Sequence, residues 1–140
     1  MNRRNRIRRG AAILEMTAVM MTLLILAFGM VEAGYFLFIK HNMQAAAREG
    51  ARAGIVPGAN TQAVNDAVAA TLQAAGLDGV SYTTRITNTS DVNIDVATVP
   101  AGTAVKVTVS MRWGDVGVRP LGIIGANKYV KGGTVMRKEG

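Results

Sequence analysis

Few residues of this chain could do chemistry, and the most informative is a carboxylate in an expensive place. Glu15 stands at the mouth of an apolar stretch from Thr17 to Val31, behind Arg3, Arg4, Arg6, Arg8, Arg9 and Gly10. A charge beside a membrane-length helix is costly and is usually kept for a purpose. The absence of cysteine excludes disulfides and thiolate metal sites. His41 is the one histidine, which excludes most zinc sites within a single chain. Asp91 and Asp95 lie four apart on a strand pattern and share a face by parity, but a third oxygen ligand is not evident, so a solvated face is expected. Ser81, Ser90 and Ser110 have no local base motif. Gly114-Asp115-Val116-Gly117 and Gly122-Ile123-Ile124-Gly125 lack the lysine and following helix of a phosphate loop and read as turns. The expectation is a protein that is not an enzyme and uses no cofactor or metal.

The formal charge of +7 misleads as a sign of nucleic-acid binding. Five of the sixteen Lys and Arg residues lie in the first nine positions, and the remaining eleven face nine acidic residues, an ordinary surface. Trp113, Tyr82 and Tyr129 are too scattered for a base-stacking platform, so no nucleic acid is expected. The apolar fraction of 49% is high for a soluble domain, and the anchor region supplies much of that excess. With 140 residues the chain allows one membrane anchor and one small domain.

A bilayer crossing takes about 20 mostly apolar residues at roughly 1.5 Å each. Ala11–Ile39 is long enough if Glu15 and Glu32 sit at or near the two interfaces, where their separation spans about 25 Å of helix. Tyr35 and Lys40 then fall on the far side, which suits aromatic rings and snorkelling amines. The arginines would hold the N-terminus on the cytoplasmic side. Two other readings stand beside a processed anchor. One is an uncut signal anchor that begins at Met1. The other is a secretory signal cut after Ala27-Phe28-Gly29, against which Glu15 interrupts the apolar front and the helical pattern continues past Gly29.

A short basic leader, Gly10, the residues Ala11-Ala12-Ile13-Leu14 and then Glu15 together resemble the signal of type IV pilin-like proteins, in particular the TadE-like minor pseudopilins of tight-adherence pili. The run from Gln44 to Gly54 is similar to the segment that follows the anchor in the same family. One departure is Met16, where the family usually carries Phe or Tyr. The resemblance implies cutting between Gly10 and Ala11 by a prepilin peptidase, and Glu15 as the assembly contact. An ammonium at Ala11 and a carboxylate at Glu15 cannot both stay unpaired near the apolar phase, and pairing between neighbours would offset that cost. It further implies a role in assembly or initiation of the pilus. The partners would be the major pilin, other minor pseudopilins, the assembly platform and membrane lipid. The place would be a bacterial inner membrane, crossed once, with the C-terminal domain periplasmic or extracellular. A secretion-system pseudopilin is a related alternative. A membrane-anchored adhesin or sensor that never enters a filament is a different one.

The first helix is expected to run past the membrane. Ile39, Met43, Ala46, Ala47, Gly50 and Gly54 form a narrow stripe of helical period, while Lys40, Gln44, Arg48 and Arg52 make a polar ridge. Gly50 and Gly54 permit close approach of another helix, either from the protein's own domain or from a second subunit. Pro57-Gly58 breaks the helix, Asn60 or Thr61 can cap the next, and Val64, Ala67, Val68, Leu72 and Ala75 give that one an apolar face ending at Gly76. Val105, Val107, Val109, Met111 and Trp113 alternate with polar residues as a half-buried strand. Val92–Val96 and Val80–Ile86 do so more briefly, and a last strand is expected around Tyr129–Met136, interrupted by Gly132-Gly133. The fold expected is α+β: a long transmembrane helix entering a small domain with one short helix and a three- to four-stranded antiparallel sheet. The divisions are a leader at 1–10, a transmembrane helix at 11–39, a helix extension at 40–56 and an exported domain at 57–140.

Overall fold

The computed structural model describes residues 3–116 and 118–139, with side chains described from Ala11 onward. Gly10 and the leader before it, like Gly117, thus lie outside the residues whose surroundings are described.

One helix, α1 (Arg3–Ile55), forms the axis of the molecule. It contains no proline, and at 53 residues it is about 80 Å long. Its two parts differ completely in surroundings. From Ala11 to Phe28 every residue is exposed; from Glu32 onward one face is covered by the domain. The stripe of small and apolar residues is that covered face, with Ile39, Met43, Ala46, Ala47 and Ala51 fully buried.

Helix α2 (Thr61–Ala74) lies against α1. Gly58, with φ +78°, makes the turn between them. Asn60 caps α2 by accepting the Ala63 amide hydrogen at 2.8 Å. At the other end Leu77 N–H reaches Leu72 O at 2.9 Å over Gly76, whose φ of +71° few other residues adopt, and buried Leu72 and Leu77 accompany that closure. Gly50 and Gly54 face this helix. A Cβ on Gly50 would sit 2.6 Å from a Val68 methyl, and one on Gly54 3.0 Å from Val64. The short distance between α1 and α2 therefore depends on absent side chains.

The sheet is antiparallel, ordered β1 (Tyr82–Thr87), β2 (Ala104–Arg112), β3 (Tyr129–Arg137). The alternation on β2 is obeyed residue by residue: Val105, Val107, Val109 and Met111 are buried toward α1. Trp113 stands just beyond the strand in a 3-10 turn, fully buried, with its ring edge-on to Phe36 at 5.3 Å. β3 runs unbroken through Gly132-Gly133. The reason is tertiary: a Cβ on Gly132 would collide with the α1 backbone at Met43 and Gln44. The Gln44 amide continues the contact, donating to Gly133 O at 2.9 Å and accepting from Gly133 N–H at 3.1 Å.

The expected strand at Val92–Val96 is not formed. Only a single bridge, Thr87 to Asn93, survives. The Asn88 side chain accepts from Ser90 and Val92 amides, and Asp95 accepts from Ala97, so local side-chain bonds replace a ladder. Asp91 and Asp95 are accordingly not same-face neighbours on a strand. Asp91 bonds Lys106 at 2.7 Å, and Asp95 receives the Thr61 hydroxyl at 3.0 Å.

Candidate functional site

The exposed half of α1 is the first part of the site. Met16–Val31 carries no charge, and this is the one helix among the described residues long and apolar enough to cross a membrane. Thr17 and Thr22 return their hydroxyls to Ile13 O and Ala18 O at 2.8 and 3.0 Å, so neither leaves an unsatisfied donor in the apolar stretch. Ala11 and Glu15 are one turn apart on this bare surface, and Glu15 is exposed.

The second part lies where the domain first meets the helix. Glu32 is only 1% exposed. Its two carboxylate oxygens accept backbone amide hydrogens from the loop between the 3-10 turn and β3, Ile124 at 2.8 Å and Leu121 at 3.2 Å. The Gly122 φ of +64° shapes that loop around the carboxylate. A charge that would otherwise be stranded beside apolar residues is thereby solvated by peptide donors. Tyr35 and Phe36, one turn farther, pack on Trp113, and the Tyr35 hydroxyl lies 3.5 Å from Val116 O. The Trp113 ring nitrogen is buried without a partner.

The third feature is the outer face of the sheet, turned away from α1. A shallow cavity of about 620 Å³ opens there between Arg85, Lys106, Tyr129 and Lys131. The Lys106 ammonium, hydrogen-bonded to Asp91 and opposite to it in charge, holds that carboxyl below its ordinary value. No group of three or more His, Asp or Glu side chains that could hold a metal occurs among the described residues.

The structure thus brings two of the sequence-derived residues, Gly50 and Gly54, onto α2 and leaves Ala11 and Glu15 open. It adds Glu32, which sequence reasoning treated only as a boundary charge. The signal available was a second acid inside an apolar run; its partners lie about ninety positions later and could not be paired with it by spacing.

The part of α1 that runs from the bare apolar stretch around Glu15 into the buried small-residue face is also the part of the chain that matches a known family. Residues 10–52 match the model of the family described as TadE-like protein. The match begins at Gly10, includes Glu15 and Glu32, and ends within the last turn of α1, so α2 and the sheet lie beyond it. TadE-like proteins are associated with tight-adherence pilus systems and are not an enzyme family. No curated protein and no solved structure matches the chain. The matching segment includes the apolar stretch of α1 that is long enough to cross a membrane.

Proposed function

We propose that the protein is a minor pseudopilin that acts in assembly or initiation of a tight-adherence pilus. The observation that carries this reading is the extent of the TadE-like match: it starts at Gly10, the residue after which a prepilin peptidase would cut. Residues 1–10 are then a leader, 11–39 the segment that contains the inner-membrane span, 40–56 its extension and 57–140 a domain outside the cytoplasm. Cutting creates an ammonium at Ala11. Glu15 of one subunit accepts that ammonium from a neighbour, which sets the axial register and removes two unpaired charges from the apolar phase. The neighbours are the major pilin and other minor pseudopilins, held at the assembly platform.

The N-terminal residue of the mature protein tests the reading. Ala11 supports it, Met1 points to an uncut anchor and Met30 to a secretory signal. Gly10→Arg places bulk and charge at the cleavage point and is expected to block processing. Normal processing of that variant removes the proposed site.

The open cavity beside Arg85, Lys106 and Lys131 supports a second reading, a membrane-anchored adhesin or sensor that stays out of filaments. In that case the chain would bind its target with Glu15 replaced by Ala as well as before.

A further inference from the structure

The loop that Glu32 holds does not end at Glu32. Its apolar side chains extend along α1 toward the bare part of the helix, where a Cβ on Gly29 would lie 3.7 Å from Ile123 and 3.9 Å from Leu121. Gly29 is about 4.5 Å of helix closer to the N-terminus than Glu32 and belongs to the uncharged stretch. Ile123 is nevertheless 66% exposed, and Leu121 and Val118 are also open. An apolar tip of this kind, projecting from a domain where it meets a membrane-length helix, has water as its alternative unless something covers it.

The position of the bilayer decides what covers it. Arg8 and Arg9 limit the inner side in the uncut chain, and the Ala11 ammonium does so after cutting, because charges there cannot enter the hydrocarbon. About 20 helical residues span the hydrocarbon core, and counted from Gly10 they reach Gly29. The outer boundary therefore falls at Gly29 or beyond it, level with Leu121 and Ile123. Around the tip the same end of the domain carries exposed Arg119, Lys128 and Tyr129, with Asp115 the acid nearby in sequence. Lys128 belongs to this end because its carbonyl accepts the Trp113 amide, and Trp113 rests on Phe36. Apolar tips flanked by basic and tyrosyl side chains have the composition of a surface that sits in lipid headgroups.

We propose that the loop 118–124 is a membrane-docking element, with Leu121 and Ile123 immersed at the headgroup–acyl boundary of the outer leaflet. Arg119 and Lys128 reach lipid phosphates from above it. Glu32 then acts as the loop's clasp, holding its amides so that the apolar tips point down the helix toward lipid. This inference rests on α1 spanning the membrane.

The test uses the full chain, whose lack of cysteine allows single labels without background. Ile123→Cys, Val19→Cys and Val92→Cys variants carry a nitrobenzoxadiazole dye in phosphatidylethanolamine–phosphatidylglycerol vesicles. Val19 lies in the bare helix, and Val92, 58% exposed, lies in the turn at the opposite end of the sheet. Lipids with a spin label near the headgroup are expected to remove most of the Ile123 emission, and those labelled near the chain end most of the Val19 emission. Neither should affect Val92. An Ile123 dye that behaves like the Val92 dye while Val19 is quenched overturns the docking and leaves the anchor intact. A Val19 dye that no lipid quenches overturns the anchor and the docking with it. Shielding of Ile123 from aqueous iodide without lipid quenching means that protein covers the tip, and also overturns the proposal.

Discussion

The Glu32 carboxylate accepts the Ile124 amide hydrogen at 2.8 Å, and through that bond the loop before the last strand is fastened to the first helix. Glu32→Ala strands the Leu121 and Ile124 amides and is expected to cost about 1.5–3 kcal/mol, with Glu32→Gln losing less because one carbonyl oxygen can still accept. Amide exchange at Leu121 and Ile124 in micelles is the direct readout. Protection unchanged in both variants would show that the carboxylate does not hold the loop.

The glycines of the domain divide by what lies beside them. Gly132→Ala drives a methyl into the α1 backbone at Met43 and Gln44, which cannot move aside, and is expected to cost at least about 3 kcal/mol. Gly133→Ala meets the Thr108 hydroxyl at 3.4 Å, a contact that a small rotation relieves, so its cost should be much smaller. Gly34→Ala has open space and is expected to stabilise α1 slightly. Thermal unfolding of the three variants should rank Gly34→Ala above wild type, Gly133→Ala below it and Gly132→Ala last.

Those glycines also show where the sequence was legible. The alternation from Val105 to Met111 places β2 and its buried face because a period of two has a single structural meaning once one face is covered. Asn60 and Gly76 mark the ends of α2 for equally local reasons. β3 looked interrupted at Gly132-Gly133, since the cause of those glycines is a helix some ninety residues earlier. Val92–Val96 has the alternation of a strand without its burial: Val96 is in the core, Val92 is exposed, and Asn88 takes the amides a ladder would have used. Within the candidate site, Glu15 was visible as a charge with nothing local to pair it. Glu32 was visible as a charge, but its partners are peptide groups of an irregular loop, which leave no signature in residue type.

Glu15→Ala is expected to leave insertion intact and to impair association with pilin partners, since losing one member of a poorly solvated pair costs about 3–5 kcal/mol. Glu15→Gln keeps the size and removes the charge, so similar loss in both variants identifies an electrostatic cause. Crosslinking recovery of partners at equal expression measures it. Recovery at wild-type level in both variants would make Glu15 a bystander.

On the outer face, the hydrogen bond and charge of Lys106 hold the Asp91 carboxyl below the ordinary 3.8, with Arg85 adding a smaller effect. A depressed value means that the pair's contribution is present above that ordinary value and fades as pH falls through the folded one. Lys106→Met should therefore move the Asp91 titration upward toward 3.8 and abolish that acid-side loss. A carboxylate titration followed by NMR reads both, and an unmoved Asp91 in the variant would show that Lys106 is not the cause.

The unbroken course of α1 from bare apolar surface into the domain has a mechanical side. No proline interrupts it, and the domain grips it from Glu32 to Ile55, where the Glu139 amide closes onto the Ile55 carbonyl at 2.9 Å. Rod and head are one lever. A push along the axis at the Glu15 end lifts the sheet by the same distance, and a twist there turns the Arg85–Lys131 face through the same angle. Force applied at the thin end reaches the broad one through a single run of backbone hydrogen bonds.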